Sequence, residues 1–268
     1  MIPVERLDAL DAAIERDEVP LAWKKEQGGR VLLSFLAHLS PVFAAQPSWG
    51  LLTSRPGDSF YYGLVEGTLD PWLAELLEWI TRTGSPERRD RVLRRTAAVL
   101  RRWDALSAET RRQLDYECRA IVVREARQHV PESEERSLAA IDNVLALLDR
   151  AIAGGEVGER EWSAVEASGI AEAQALSARG GSVRARGGDI HDIRVAWQAT
   201  QAAYVACERL PRAAKYAVYR AVDAAPLTLV PRPPDGTHWY FYAQCVVADR
   251  IIDQMLTAME RECAKVTT

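Results

Sequence analysis

The chain has 268 residues, 48% hydrophobic and 27% charged, a balance that excludes an intrinsically disordered chain and allows a sizeable core without disulfide or metal staples. A formal charge of −4 argues against a dedicated nucleic-acid binder, which carries a basic excess, though it leaves room for a local basic patch. No stretch approaches the ~18 uncharged apolar residues that span a bilayer, and the first residues lack a signal-peptide pattern, so no membrane association and a cytoplasmic location are expected.

Apolar residues recur with helical period along most of the chain, and strand-like alternation is nearly absent. This predicts an all-α fold, a single large bundle of about 9–10 helices over residues 1–268. Near the start, Val31, Leu32, Phe35, Leu36, Leu39, Val42 and Phe43 form one apolar stripe, and Pro41, Pro47, Pro56 and Gly57 punctuate the loop that follows. Asp58 or Ser59 caps a further helix. Asp70-Pro71 then opens a helix that stops at Gly84, and Ser85-Pro86 repeats the device for a helix over about 86–103.

The next predicted helix, about 108–129, carries Leu114, Cys118, Ile121, Val122 and Ala126 on its stripe. Pro131 opens another, with Leu138, Ile141, Val144, Leu145, Leu148 and Ile152 inward, and Gly154-Gly155 ends it. An acidic helix from about Glu159 leads into a Gly/Arg-rich loop over 178–188, the candidate internal boundary of the bundle. Beyond it come a helix around Trp197, a short helix from Pro211 to about Ala224, and a long last helix over about 238–265. Pro226, Pro231, Pro233 and Pro234 favour an extended crossover between those last two. In the last helix Asp249 falls on the apolar seam of Tyr242, Cys245, Ile252, Leu256, Met259 and Cys263, and a slightly rotated stripe accounts for it more simply than a buried pairing.

Three constellations invite a functional reading. First, Arg184 and Arg186, with Arg179 and four glycines, precede a helix start where Asp189 reads as the N-cap and Asp192 as a first-turn acid. Arginines beside a helix N-terminus suit a phosphate or carboxylate, but the P-loop and dinucleotide fingerprints are both absent. His191-Asp192 alone cannot encircle a metal, and the four histidines, His38, His129, His191 and His238, show no ligand spacing, so neither a metal nor a cofactor is expected. Second, the segment 85–113 carries nine arginines, Arg88, Arg91, Arg95 and Arg102 among them, against four acidic residues. Third, Glu159 and Glu166 belong to an acidic helix face. Cys118, Cys207, Cys245 and Cys263 lie far apart and read as small buried apolar residues.

With no nucleophile-base pair, metal constellation or cofactor fingerprint in view, the sequence favours a non-enzymatic protein that acts by binding another protein, in the manner of a bacterial immunity or antitoxin-like protein. Partner contacts then fall on Arg88, Arg91, Arg95, Arg102, Glu159 and Glu166. The alternative is a helical enzyme or small-ligand sensor whose anion site near 179–191 draws on Arg184, Arg186, His191, Trp197, Tyr204, His238 and Tyr242. A third reading, nucleic-acid association through the arginine segment, is less favoured.

Overall fold

The structure, a computed structural model, describes residues 105–207, 211–225 and 239–266, together with six helical positions at 91, 94, 95, 98, 99 and 102. The expected helices and loops before residue 91, the proline-rich crossover at 226–234, and Arg88 and His238 lie outside the described residues, as do the side chains of Tyr242 and Cys245. The described part is all-α and contains no strand. Its helices are α1 (Ala108–Arg127), α2 (Glu135–Ile152), α3 (Glu159–Ala185), α4 (His191–Cys207), α5 (Pro211–Ala224) and α6 (Trp239–Lys265). None is long and apolar enough to cross a membrane.

Arg111–Met255 forms one compact unit. Within it α4 is the central helix, packed against α2, α3 and α5. That position explains its composition. A helix with neighbours on three sides has room only for small side chains, and Ala196, Ala199, Ala202, Ala203 and Ala206 are all buried. From α1, the buried Arg119 reaches the end of α4. Its Nη1 donates to the Ala206 carbonyl (2.8 Å), one of the last carbonyls that α4 cannot satisfy internally, while its Nε donates to Asp115 (2.8 Å).

Ion pairs tie α1 to α2 through Arg124 with Asp149 and Arg127 with Asp142. Tyr116 on α1 stacks on Trp162 of α3, ring centroids 5.9 Å apart. The first part of α6 is held to α1 by the buried Glu125, which lies 3.1 Å from Arg250 and also accepts from the His129 ring (3.2 Å). Asp249 is buried, so the α6 stripe is not rotated away from it as the sequence suggests.

The described residues up to Thr110 group with those from Leu256 onward in a second unit. There Arg95 donates twice to Glu260 (2.7 and 2.8 Å) and once to Thr257 (2.9 Å), and Val99 is buried. Arg91, Arg94 and Arg102 are exposed on the same helical stretch, as an amphipathic helix requires. Cys118, Cys207 and Cys263 are buried thiols, and burial pushes that of Cys263 above its ordinary pKa.

Helix ends account for most glycines among the described residues. Gly154 (φ 80°) and Gly187 (φ 74°) take the left-handed conformation that ends a helix, and each is followed by a second glycine. After α2, Gly154 N–H donates to Ala151 and Gly155 N–H to Arg150; after α3, Gly187 N–H donates to Arg184 and Gly188 N–H to Val183. Both are Schellman closures. Two sequence boundaries shift as a result of local bonding. Residues 131–134 form a turn, so α2 begins at Glu135 and not at Pro131. More consequentially, α3 continues through Gly180 and Gly181 to Ala185, so the expected loop over 178–188 shrinks to the connection 186–190. Once the Gly187–Gly188 closure supplies a stop, the earlier glycine pair costs the helix about 1 kcal/mol per residue relative to alanine without ending it.

Candidate functional site

The short connection at 186–190 returns the chain so that α3 and α4 run antiparallel. Residues early in α3 meet residues late in α4: a side chain on Gly169 would collide with Tyr204 (2.7 Å), whereas one on Gly180 would only touch Ile193 (3.4 Å). Gly169 is therefore required by the close passage of Tyr204, which packs α4 on α3. Nearer the connection the helices leave a groove.

This groove has a volume of about 410 Å³ and is lined from α3 by Leu176, Ser177, Gly180, Gly181 and Arg184, from the end of the connection by Ile190, and from α4 by Ile193, Arg194, Trp197 and Gln198. The lining repeats every three to four residues on both helices, as facing stripes must. Its apolar wall is Leu176, Ile190, Ile193 and Trp197. Its only charged side chains are Arg184 and Arg194, and neither has a carboxylate partner among the described residues. From α5, Arg220 stacks over the Trp197 ring, 5.6 Å from its centroid, and donates to Gln198 (3.1 Å), which fixes that end of the groove.

Other sequence candidates fall elsewhere. Arg186 caps the C-terminus of α3, and His191 opens α4; both are exposed and neither lines the groove. Asp189 does cap α4, but one position earlier than the sequence suggests. Its Oδ1 accepts the His191 N–H (2.9 Å), Ile190 provides the first helical carbonyl, and Asp192 is the second helical residue. That N-terminus already has its own acids.

The acidic face of α3 is partly engaged within the chain. Glu161 pairs with Arg150 and accepts the Gly158 N–H (2.9 Å), contacts that hold its carboxyl below the usual range, with Arg150 the larger cause. Glu166 is half-buried and Glu159 exposed. Glu172 is buried in a second groove of about 380 Å³ between the start of α2 and α3, where it accepts from Ser137 (3.2 Å) and pairs with Arg136 (3.2 Å). Arg179 in the same groove pairs with Glu134.

The structure thus brings together Arg184 and Trp197 from the sequence candidates and adds Arg194, Ile190, Ile193, Gln198, Ser177, Gly180 and Gly181. Among the described residues, no three His, Cys, Asp or Glu side chains are grouped so as to hold a metal ion. Comparison with protein-family models, with curated proteins and with solved structures gives no match.

Proposed function

We propose that this chain acts by binding an acidic protein partner without turning over a substrate, and that the partner docks in the groove between α3 and α4. The observation that carries the reading is the pair Arg184 and Arg194, two guanidinium groups that line an open groove beside Trp197 and have no carboxylate partner among the described residues. Elsewhere in the same unit Arg119, Arg124, Arg127, Arg136, Arg150, Arg179 and Arg250 are all engaged with acids of the chain itself. An arginine left over at a groove is a donor fork for an outside carboxylate. Arginine and tryptophan are also the side chains that most often dominate protein interfaces.

A partner neutralised by occupancy, as with an immunity or antitoxin-like protein in the cytoplasm, requires no chemistry beyond this. A small-ligand sensor is the second reading, favoured by the groove's volume, which lies in the range that accommodates small molecules. The arginine segment has less to recommend it as a nucleic-acid surface, because Arg95 is occupied by Glu260 and Thr257.

The test is affinity capture from host lysate on the immobilised chain, run in parallel with the double variant Arg184→Glu, Arg194→Glu. One stoichiometric protein held by the unaltered chain, released by moderate salt and lost from the double variant, is the expected result. The same proteins on both columns, or none on either, would overturn the reading.

A further inference from the structure

We infer that the occupant of the α3–α4 groove is an extended acidic segment of about four residues, with one apolar side chain at the Trp197 end and carboxylates at the Arg184 end, and not a helix of the partner. The inference rests on the groove reading above and specifies what the groove accepts.

Size decides first. On α3 the lining runs from Leu176 to Arg184, eight residues on, or about 12 Å at 1.5 Å per residue. With a water's radius added at each wall, a volume of 410 Å³ over that length gives a groove roughly 9 Å across, narrower than the ~10–12 Å diameter of a helix with its side chains. An extended chain advances about 3.3 Å per residue, so about four residues fill the groove.

Chemistry decides the order. Because α3 and α4 are antiparallel, Arg184 and Ile190 lie at the connection end, Gly180, Gly181, Ile193 and Arg194 in the middle, and Leu176, Trp197 and Gln198 at the far end. Among the lining residues the guanidinium groups thus occupy the near half and the tryptophan the far half, where Arg220 of α5 is stacked on its ring and bonded to Gln198. A segment that places an apolar side chain on Leu176 and Trp197 brings the next residues past Arg194 and Arg184.

The floor decides the backbone. A side chain on Gly181 would meet nothing within 4 Å, although a glycine inside a helix costs about 1 kcal/mol relative to alanine. None of the described residues fills that space. A bare stretch of helix at Gly180 and Gly181 admits the close approach of another backbone.

The test titrates the full-length protein with the acetylated peptides Leu-Glu-Glu-Glu and Glu-Glu-Glu-Leu, one for each chain direction, with Ser-Glu-Glu-Glu, Leu-Lys-Lys-Lys and free glutamate as controls. The readout is NMR shifts of the Trp197 indole and of the amides of residues 180–194. Saturable binding of one acidic peptide below ~1 mM is expected, at least 10-fold tighter than any control. Arg194→Gln and Gly181→Leu should each weaken it at least 10-fold. Leucine at 181 fills the groove while favouring the helix, so an unchanged or higher melting temperature separates occlusion from misfolding, and Arg194→Gln decides the matter if Gly181→Leu does not fold.

Equal binding by Gly181→Leu would overturn the inference, as would glutamate alone binding as tightly as the peptide, which would point to a small-ligand site. If no peptide binds but a captured partner still depends on Arg184 and Arg194, the groove reading stands and the extended segment is wrong. If neither binds, both fall.

Discussion

α3 borders two grooves of nearly equal volume, about 380 Å³ toward α2 and 410 Å³ toward α4, and each contains two arginines. In the first, Arg136 faces Glu172 and Arg179 faces Glu134, with Glu135 as a further acid on the lining. In the second, Arg184 and Arg194 have no acid beside them among the described residues. Volume is similar and arginine content equal; the difference is whether the described residues supply the counter-charge. The α2 groove is a structural joint filled by its own polar network, and in the α4 groove no described residue neutralises the two arginines.

That difference predicts opposite responses to substitution. Glu172→Ala should be the most damaging change, because it leaves the fully buried Ser137 hydroxyl without its acceptor and Arg136 without its partner. A loss of about 1–3 kcal/mol is expected, seen as a fall in melting temperature of ~2–4 °C per kcal/mol. Arg194→Gln should shift stability by no more than about 0.5 kcal/mol, since Arg194 makes no side-chain bond to the other described residues. Thermal denaturation of the two variants side by side checks this, and a loss at Arg194 as large as that at Glu172 would erase the distinction between the grooves.

Two glycines of α3 sharpen the contrast at smaller amplitude. Alanine at Gly169 would place its Cβ 2.7 Å from the Cβ of Tyr204, a strain of about 1–3 kcal/mol, offset only in part by the ~1 kcal/mol gain in helix propensity. Alanine at Gly181 meets nothing and should stabilise by up to about 1 kcal/mol. Opposite signs of the change in urea midpoint are the expected outcome. Two destabilised variants would mean that the groove floor at Gly181 is not open.

Much of this was legible in the sequence, and what was not had a physical cause. The helical period alone gave the all-α class, and the alanines of α4 were readable as close packing because no other role suits five of them on one helix. Trp197 and Arg184 were within reach, since both stand out by residue type. Arg194, Ile190 and Ile193 were not, because the glycine-glycine steps that begin at 154, 180 and 187 look alike in sequence and only the first and last of these end a helix. Treating Gly180-Gly181 as loop removed the α3 half of the facing stripes, so the α4 half appeared to be core alone. Likewise Glu172 reads as one more solvated acid until Ser137 and Arg136 arrive from α2, 35 residues away for the serine.

The smallest expected effect sets an engaged arginine against an unengaged one in acid. Hydrogen bonds from Arg127 hold the Asp142 carboxyl below the usual carboxylate range, and the Arg127 guanidinium is correspondingly raised, chiefly by the same bonds. A folded-state pKa below the unfolded value near ~3.9 means the unfolded chain takes up a proton first as pH falls. The stabilisation from this pair is therefore complete above about pH 4–5 and is lost as pH drops through the lower folded value. Both side chains are partly exposed, so the contribution is small and screened by salt. Arg127→Gln should make the acid limb of a stability-against-pH curve shallower below about pH 4, whereas Arg194→Gln, with no carboxylate beside it among the described residues, should leave that limb unchanged. Binding of an acidic segment to the α4 groove would add such a limb, because carboxylates held by Arg184 and Arg194 would titrate lower in the complex than free. A bound-state affinity that is flat from pH 7 to about pH 5 and then declines is the pattern to look for, and an affinity that rises on acidification would place the contact on something other than these two arginines.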